Sequence, residues 1–268
     1  MTPNKSMIAG MTQPELRATL ARDPVILVPM GSLEDQGPMT FGGDYLLAER
    51  IALLVAQEAI AAGVEVIVSP VIPFGCQDAF AGPPGCIALS PGTFRLVVSE
   101  VLEPLLASGA KRIIILNGHG GNVEPITEVT AGIHERTGML IPSVYLWKVA
   151  FTYLVELIGM EKARASGGHG ANPLSSVAMH LFPELMRPEL AEAPRPMASV
   201  MGLPATGYGT AVFEGIEVNI PVPVREISQN GVVGGDMREV NAAIGAGLTE
   251  RLVGLVVSLA KHMATQKG

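Results

Sequence analysis

The sequence predicts an α/β domain, a mainly parallel sheet with helices on both faces, and three observations predict it. Apolar, β-branched runs alternate with amphipathic stretches in strand–helix–strand order, at the spacing of right-handed crossovers. The run Ile113-Ile114-Ile115-Leu116 is apolar at every position, as a strand buried on both faces of a parallel sheet must be. It stops abruptly in Asn117-Gly118-His119-Gly120-Gly121-Asn122. Open α/β sheets build their sites at such carboxyl ends of strands.

The elements follow in order. Residues 25–28 read as the first strand and 44–62 as an amphipathic helix. Residues 64–71 form a second strand, 93–106 a second long helix, 112–116 the third strand and 123–136 its helix. A fourth strand is expected over 139–146, a shorter helix over 173–182 and a long closing helix over 236–262. The stretch 191–231 differs, being rich in Pro and Gly with a β-like run at 215–224, and reads as a meander or an arm at an interface. No linker is long enough to divide the chain, so residues 1–268 are expected to form a single domain.

Composition removes several function classes. The formal charge is −7 and no basic tract is present, which argues against nucleic acid and anionic membrane surfaces as partners. Apolar residues reach 48% against 16% charged, a balance that points toward subunit interfaces. No window of eighteen uninterrupted apolar residues occurs, so no membrane span is expected. The first residues lack the apolar core of a secretory signal. Cys76 and Cys86 therefore read as free thiols of a reducing compartment, and the expected location is the cytoplasm. There is no Gly-Lys-Ser/Thr phosphate loop, no Gly-x-Gly-x-x-Gly after the first strand and no Gly-x-Ser-x-Gly. ATP, NAD and serine-hydrolase readings fall away with them.

The same organisation gathers polar residues at one edge. The first strand runs into residues 31–37, the second into 74–78, the third into the His119 loop, and the fourth ends at Trp147-Lys148. Glu34, Asp35, Asp44 and His119 become candidates for one shared centre. Carboxylates crowded in a half-buried crevice repel one another unless a cation neutralises them. Two carboxylates with an imidazole suit Zn²⁺ or Mn²⁺. Plainer roles compete: Asp44 could be the N-cap of its helix and Asp35 a solvated loop acid. Ser32, Asn117 and Asn122 could orient ligands or hold a substrate carbonyl, or simply satisfy turn backbone. Phe74, Phe80 and Trp147 could line a pocket. His134, His180 and His262 sit on helices and read as structural, whereas His169 lies between loop glycines.

At these residues the chain resembles the creatininase (creatinine amidohydrolase) family. Residues 28–38, Val-Pro-Met-Gly-Ser-Leu-Glu-Asp-Gln-Gly-Pro, followed by Gly43-Asp44-Tyr45, are similar to its opening motif, and Asn117-Gly118-His119-Gly120-Gly121-Asn122 to its second. Gly168-His169-Gly170-Ala171 with Ser175-Ser176 resembles the third, and Pro84-Gly85-Cys86 its Pro-Gly-Thr loop. The resemblance implies a three-layer α/β/α sandwich, usually a hexamer, with a metal centre that is often dinuclear. Glu34, Asp44 and His119 would be metal ligands, with Asp44 bridging, and His169 a proton-transfer residue near the substrate.

The departures shape the expectation. Gln36 stands where the family places a ligand histidine, Met39 where another commonly follows, Leu174 where the third motif carries a glutamate, and Gly121 where creatininase itself has an alternative carboxylate. One Zn or Mn ion per chain is therefore expected rather than two. Asp35 and Gln36, ahead of Glu124 and Asp78, are the first substitutes for the lost ligands. The leading expectation is a metal-dependent hydrolase of a small cyclic amide. In it, water activated by the ion on Glu34, Asp44 and His119 attacks a carbonyl, and His169 passes a proton to the leaving nitrogen. Creatinine itself is not the expected substrate. Alternatives are C–C or lactone hydrolysis of a cyclic diketone-type substrate, a metal-free acid–base route, and a catalytically silent binding or assembly protein. The expected partners are a small-molecule substrate and further copies of the chain, with a hexamer favoured.

Overall fold

Strand β1, Val25–Met30, is buried at every residue, and the rest of the sheet is assembled around it. The computed structural model describes residues 6–80 and 82–266; the start of the chain, read above for a targeting signal, falls partly outside them. β2 (Val66–Val68), β3 (Arg112–Asn117) and β4 (Ser143–Tyr145) pair in the order β2-β1-β3-β4, every pair parallel. Alternation sends side chains to two cores. Val25, Leu27, Val66, Val68, Ile114 and Leu116 enter one, Ile26, Val28, Met30, Ile67, Ile113 and Ile115 the other. Each such side chain contributes roughly 1.5–3 kcal/mol on burial.

Helices cover both faces, as a parallel sheet requires. On the first face lie α2 (Asp44–Ala61), α5 (Leu146–Ile158), α7 (Leu174–Leu181) and α9 (Ala242–Thr265). On the second lie α1 (Gln13–Leu20), α3 (Pro91–Ala107) and α4 (Val123–Thr137). Helix α2 presents Leu47, Ile51 and Val55 with Ala48, Ala52, Ala56 and Ala59, so small residues let its backbone close on the sheet. By length and composition α9 could cross a membrane, but it packs along α2, α5 and α7 with Leu248, Leu252, Val256 and Ala260 inward.

The elements differ from the sequence reading in informative places. The second strand shortens to three residues and so does the fourth. Directly after the fourth, where the chain reads as strand end and loop, α5 begins. Its buried Leu146, Trp147, Ala150 and Leu154 face inward while Lys148, Thr152 and Glu156, spaced four apart, are exposed, which is a helical period. Helix α1, absent from the elements expected above, opens on a capping box of Thr12 with Glu15. A short helix α6 (Met160–Ser166) follows α5. The Pro/Gly-rich stretch does contain a meander: β6 (Ala205–Gly207), β7 (Thr210–Phe213) and β8 (Ile216–Asn219), all antiparallel. β5 (Gly168–His169) pairs with β9 (Val233–Gly234) in a separate two-stranded sheet, and the turn α8 (Val224–Ile227) lies between β8 and β9. Cys76 and Cys86 are free thiols.

Candidate metal centre

The parallel register brings Met30, Asn117 and Tyr145 level at the carboxyl edge. From there the loop after β1 delivers Glu34 and Gln36, and the loop after β3 delivers His119. Side-chain hydrogen bonds hold those loops. Asn117 donates to the His119 carbonyl at 2.7 Å and accepts from the His119 amide at 3.0 Å. Asn122 accepts from the Cys76 amide at 2.7 Å and donates to the Gly31 carbonyl at 3.2 Å and to Asn117 at 3.1 Å. Asp44 opens α2 as its first residue, with Gly43 at the N-cap. Its carboxylate does not cap the helix. It accepts instead from the Ser32 backbone amide and, at 3.0 Å, from the Ser32 hydroxyl. A Cβ at Gly31 would lie 2.4 Å from Asp44 Oδ1, so only glycine permits this approach.

His119 is 2% exposed and sits among carboxylates. Its Nε2 donates to the Cys76 carbonyl at 2.9 Å, and its Nδ1 faces Glu34 Oε2 at 3.1 Å and Asp44 Oδ2 at 3.8 Å. Asp78 Oδ2 stands 3.5 Å from Nε2. Burial disfavours the imidazolium, but the charge and hydrogen bond of Glu34, backed by Asp44 and Asp78, push its pKa up to about 10. Burial also works against the Glu34 charge, and His119 overcomes it, holding that carboxyl below its usual range. Asp44 is raised well above the carboxylate range, first by burial and then by the Glu34 charge. Burial raises Asp78 as well, with His119 pulling the other way.

A cavity of about 340 Å³ opens above this floor, lined in addition by Phe80, Tyr145, Trp147, His169, Leu174 and Tyr208. His169 Nε2 donates to the Asp35 carbonyl at 2.6 Å, and its ring stacks on Phe80 with centroids 3.4 Å apart. Burial holds its pKa below the usual value, so the imidazole is neutral and Nδ1 is the nitrogen left to take a proton. Tyr208, at the turn of the meander, packs edge-on to Phe80 at 5.0 Å. Trp147 Nε1 donates to the Gly118 carbonyl. Burial pushes both tyrosine hydroxyls upward, so Tyr145 and Tyr208 present neutral phenols.

The structure brings together Glu34, Asp44, His119, His169, Gln36 and Trp147 of the residues singled out from sequence. It places Asp35 elsewhere: its carboxylate accepts from the Gly37 amide at 2.9 Å and it does not line the cavity, because the tight turn at Gly37 draws it back. Glu124 is exposed on the first turn of α4. Ser32, Asn117 and Asn122, candidates for substrate contact, are used in holding Asp44 and the loops and do not line the cavity. Phe74 also stays outside. Among the described residues, the set whose ligand atoms all lie within 4.8 Å of one another is Glu34, Asp78 and His119. Asp78 ranks low on sequence distance alone, although it ends the loop after the second strand, where the edge rule points. Tyr145 obeys the same rule, and nothing local in sequence marks Tyr208.

The donor set fits a divalent cation. Three carboxylates line the cavity with no Lys or Arg among the described residues there, so the positive charge must come from protons or an ion. Gln36, 2% exposed, donates to Glu34 at 2.8 Å and leaves its own Oε1 buried without a hydrogen-bond donor. Carboxylate, imidazole and amide oxygen together match Zn²⁺ or Mn²⁺.

Residues 9–260 match the creatininase family, described as creatinine amidohydrolase. The chain belongs to that family. This creatininase-family chain is 31% identical over 110 residues to a mycofactocin precursor peptide peptidase of Mycolicibacterium smegmatis, covering 40% of this chain and 44% of the relative. It is 30% identical over 133 residues to the creatinine amidohydrolase of Pseudomonas putida, covering 47% and 49%. A 3-dehydro-scyllo-inosose hydrolase of Thermotoga maritima is 27% identical over 191 residues, covering 68% and 58%. The chain thus spans about half the length of the curated relatives it matches. Among solved structures, a mutant creatininase of Zn-Zn type superposes with a TM-score of 0.78 at 18% identity, covering 97% of this chain and 99% of that one. A manganese form gives 0.77 at 19% identity, covering 97% and 99%. The α/β/α creatininase fold is therefore shared.

Proposed function

We propose that this creatininase-family protein is a metal-dependent amidohydrolase that cleaves a C–N bond in a small cyclic amide other than creatinine. One observation carries the reading: a buried group of carboxylates with one imidazole, short of positive charge, forms the floor of a small aromatic-lined cavity. Glu34, Asp44 and His119 would hold one Zn²⁺ or Mn²⁺ ion. Such an ion, when bound, supplies polarisation of a carbonyl and acidification of water. Ser32 and Gln36 orient Asp44 and Glu34 through their hydrogen bonds, and the Cys76 carbonyl sets the His119 ring. His169 is the proton carrier: held at Nε2 by the Asp35 carbonyl, it accepts a proton at Nδ1 and returns it to the leaving nitrogen. Phe80, Tyr145, Trp147 and Tyr208 close the cavity around a ring-sized substrate and limit water. Other copies of the chain, in a hexamer, are the proposed partners.

The Thermotoga relative, which aligns with 68% of this chain, favours a second reading, hydrolytic opening of a cyclic ketone or lactone on the same floor. One experiment tests both. Metal content per chain is measured on wild type and His119→Ala purified without chelators, and each is assayed on cyclic amides, cyclic diketones and short peptides. About one Zn or Mn per wild-type chain, lost in the variant together with cyclic-amide hydrolysis, is the expected result. Turnover of diketones alone selects the second reading. Peptide turnover alone, or a wild type that takes no metal after reconstitution, overturns the first.

A further inference from the structure

We propose that Asp78 is a ligand of the cation, supplied from the 74–78 loop in place of the side chain that Gly121 lacks. The inference rests on the metal-dependent reading above and adds a residue to it. A Cβ built on Gly121 would lie 3.1 Å from the Asp78 Cβ and 2.7 Å from His119 Nε2. Asp78 therefore occupies the volume into which a side chain at 121 would grow. Its carboxylate also arrives in ligating position: one oxygen belongs to the set with Glu34 and His119 whose ligand atoms lie within 4.8 Å. The Phe80 amide donates to Asp78 Oδ1 at 2.8 Å, and Oδ2 is the oxygen 3.5 Å from His119.

A cluster of acids is not by itself a site, and an independent observation points to a cation here. Gln36 lines the same cavity and its buried Oε1 has no donor. Buried acceptors in folded proteins are satisfied by a donor or an ion. No Lys or Arg among the described lining residues can serve either this oxygen or Asp78. A cation shared by Glu34, Asp78 and His119 beside Gln36 would neutralise the excess carboxylate and give the amide oxygen a partner. Two positions that depart from the family pattern, Gln36 and Gly121, are thereby reconciled by one residue from a third loop.

The test uses the whole chain, stripped of metal and titrated with Mn²⁺. Binding is followed by quenching of Trp147, the one tryptophan, which lines the cavity. Zn²⁺ content after reconstitution is measured in parallel by mass spectrometry. Asp78→Asn, which keeps the acceptor for the Phe80 amide, is expected to raise the Mn²⁺ dissociation constant at least about tenfold. Asp78→Ser is a second variant should Asn disturb folding, and circular dichroism checks both. Glu124→Gln, an exposed acid of α4, is expected to leave binding unchanged. Wild-type affinity in folded Asp78→Asn and Asp78→Ser overturns this proposal and leaves the metal-dependent reading standing. A wild type that binds neither Mn²⁺ nor Zn²⁺ overturns both.

Discussion

The floor of the cavity comes from the loops leaving the parallel strands β1, β2 and β3 and from the first residue of α2, whereas much of its wall comes from His169, Phe80 and Tyr208. Glu34, Asp44 and His119 are almost wholly buried and Asp78 partly so, and Asn117 and Asn122 tie three loops together through side-chain hydrogen bonds. The wall is held more lightly. The His169 side chain has one hydrogen bond to a carbonyl and one ring stack, its backbone being paired in β5, and Tyr208 is 52% exposed on a short antiparallel meander. The difference separates two tasks. A floor that keeps like charges together must be rigid, because repulsion would otherwise open it. A wall that shapes a substrate can vary without disturbing that charge.

Substitutions can break or sharpen this division. The largest effect is expected for His119→Ala, which removes the imidazole common to every ligand set considered. Zn²⁺ or Mn²⁺ affinity should fall by more than about 100-fold, beyond the cost of losing an outer partner of a ligand. Titration of the stripped protein measures it, and retained affinity would remove His119 from the floor. Next comes His169→Gln. Loss of a proton carrier should lower kcat by roughly 10²–10⁴-fold with metal content unchanged. If metal is lost as well, His169 belongs to the floor and the comparison fails. Asn122→Ala should cost about 1–3 kcal/mol, read as a lower urea midpoint, because the buried Cys76 amide loses its acceptor. A midpoint equal to wild type would mean that the loops are held by packing alone. The smallest effect is expected at the wall: Tyr208→Ala should raise KM about 2- to 10-fold, with kcat and metal content little changed, through loss of its edge contact with Phe80.

The alternation of apolar runs and amphipathic stretches was enough to determine the parallel α/β architecture, because two-faced burial demands both strand hydrophobicity and helical cover. The edge at which these side chains gather was equally legible, since Glu34, Asp44 and His119 each follow or face a strand end. The segment after the fourth strand does carry a helical signal in Lys148, Thr152 and Glu156, four residues apart and exposed. The point at which strand gives way to helix, Leu146, is set by the packing of Ala150 and Leu154 on the first face.

Which acids meet at the floor was decided by tertiary structure. Asp35 is next to Glu34 in the chain and is turned away by its own loop; Asp78 is forty-odd residues distant and lies against His119. Local sequence sets side-chain chemistry and backbone preference, but the direction of a loop carboxylate depends on packing against other loops. The same reason explains Asn117 and Asn122, whose residue types suit substrate contact and whose buried partners give them a scaffolding part instead. It explains Tyr208 as well: the composition of its segment indicated a meander, and only the folded chain could say which surface the meander covers.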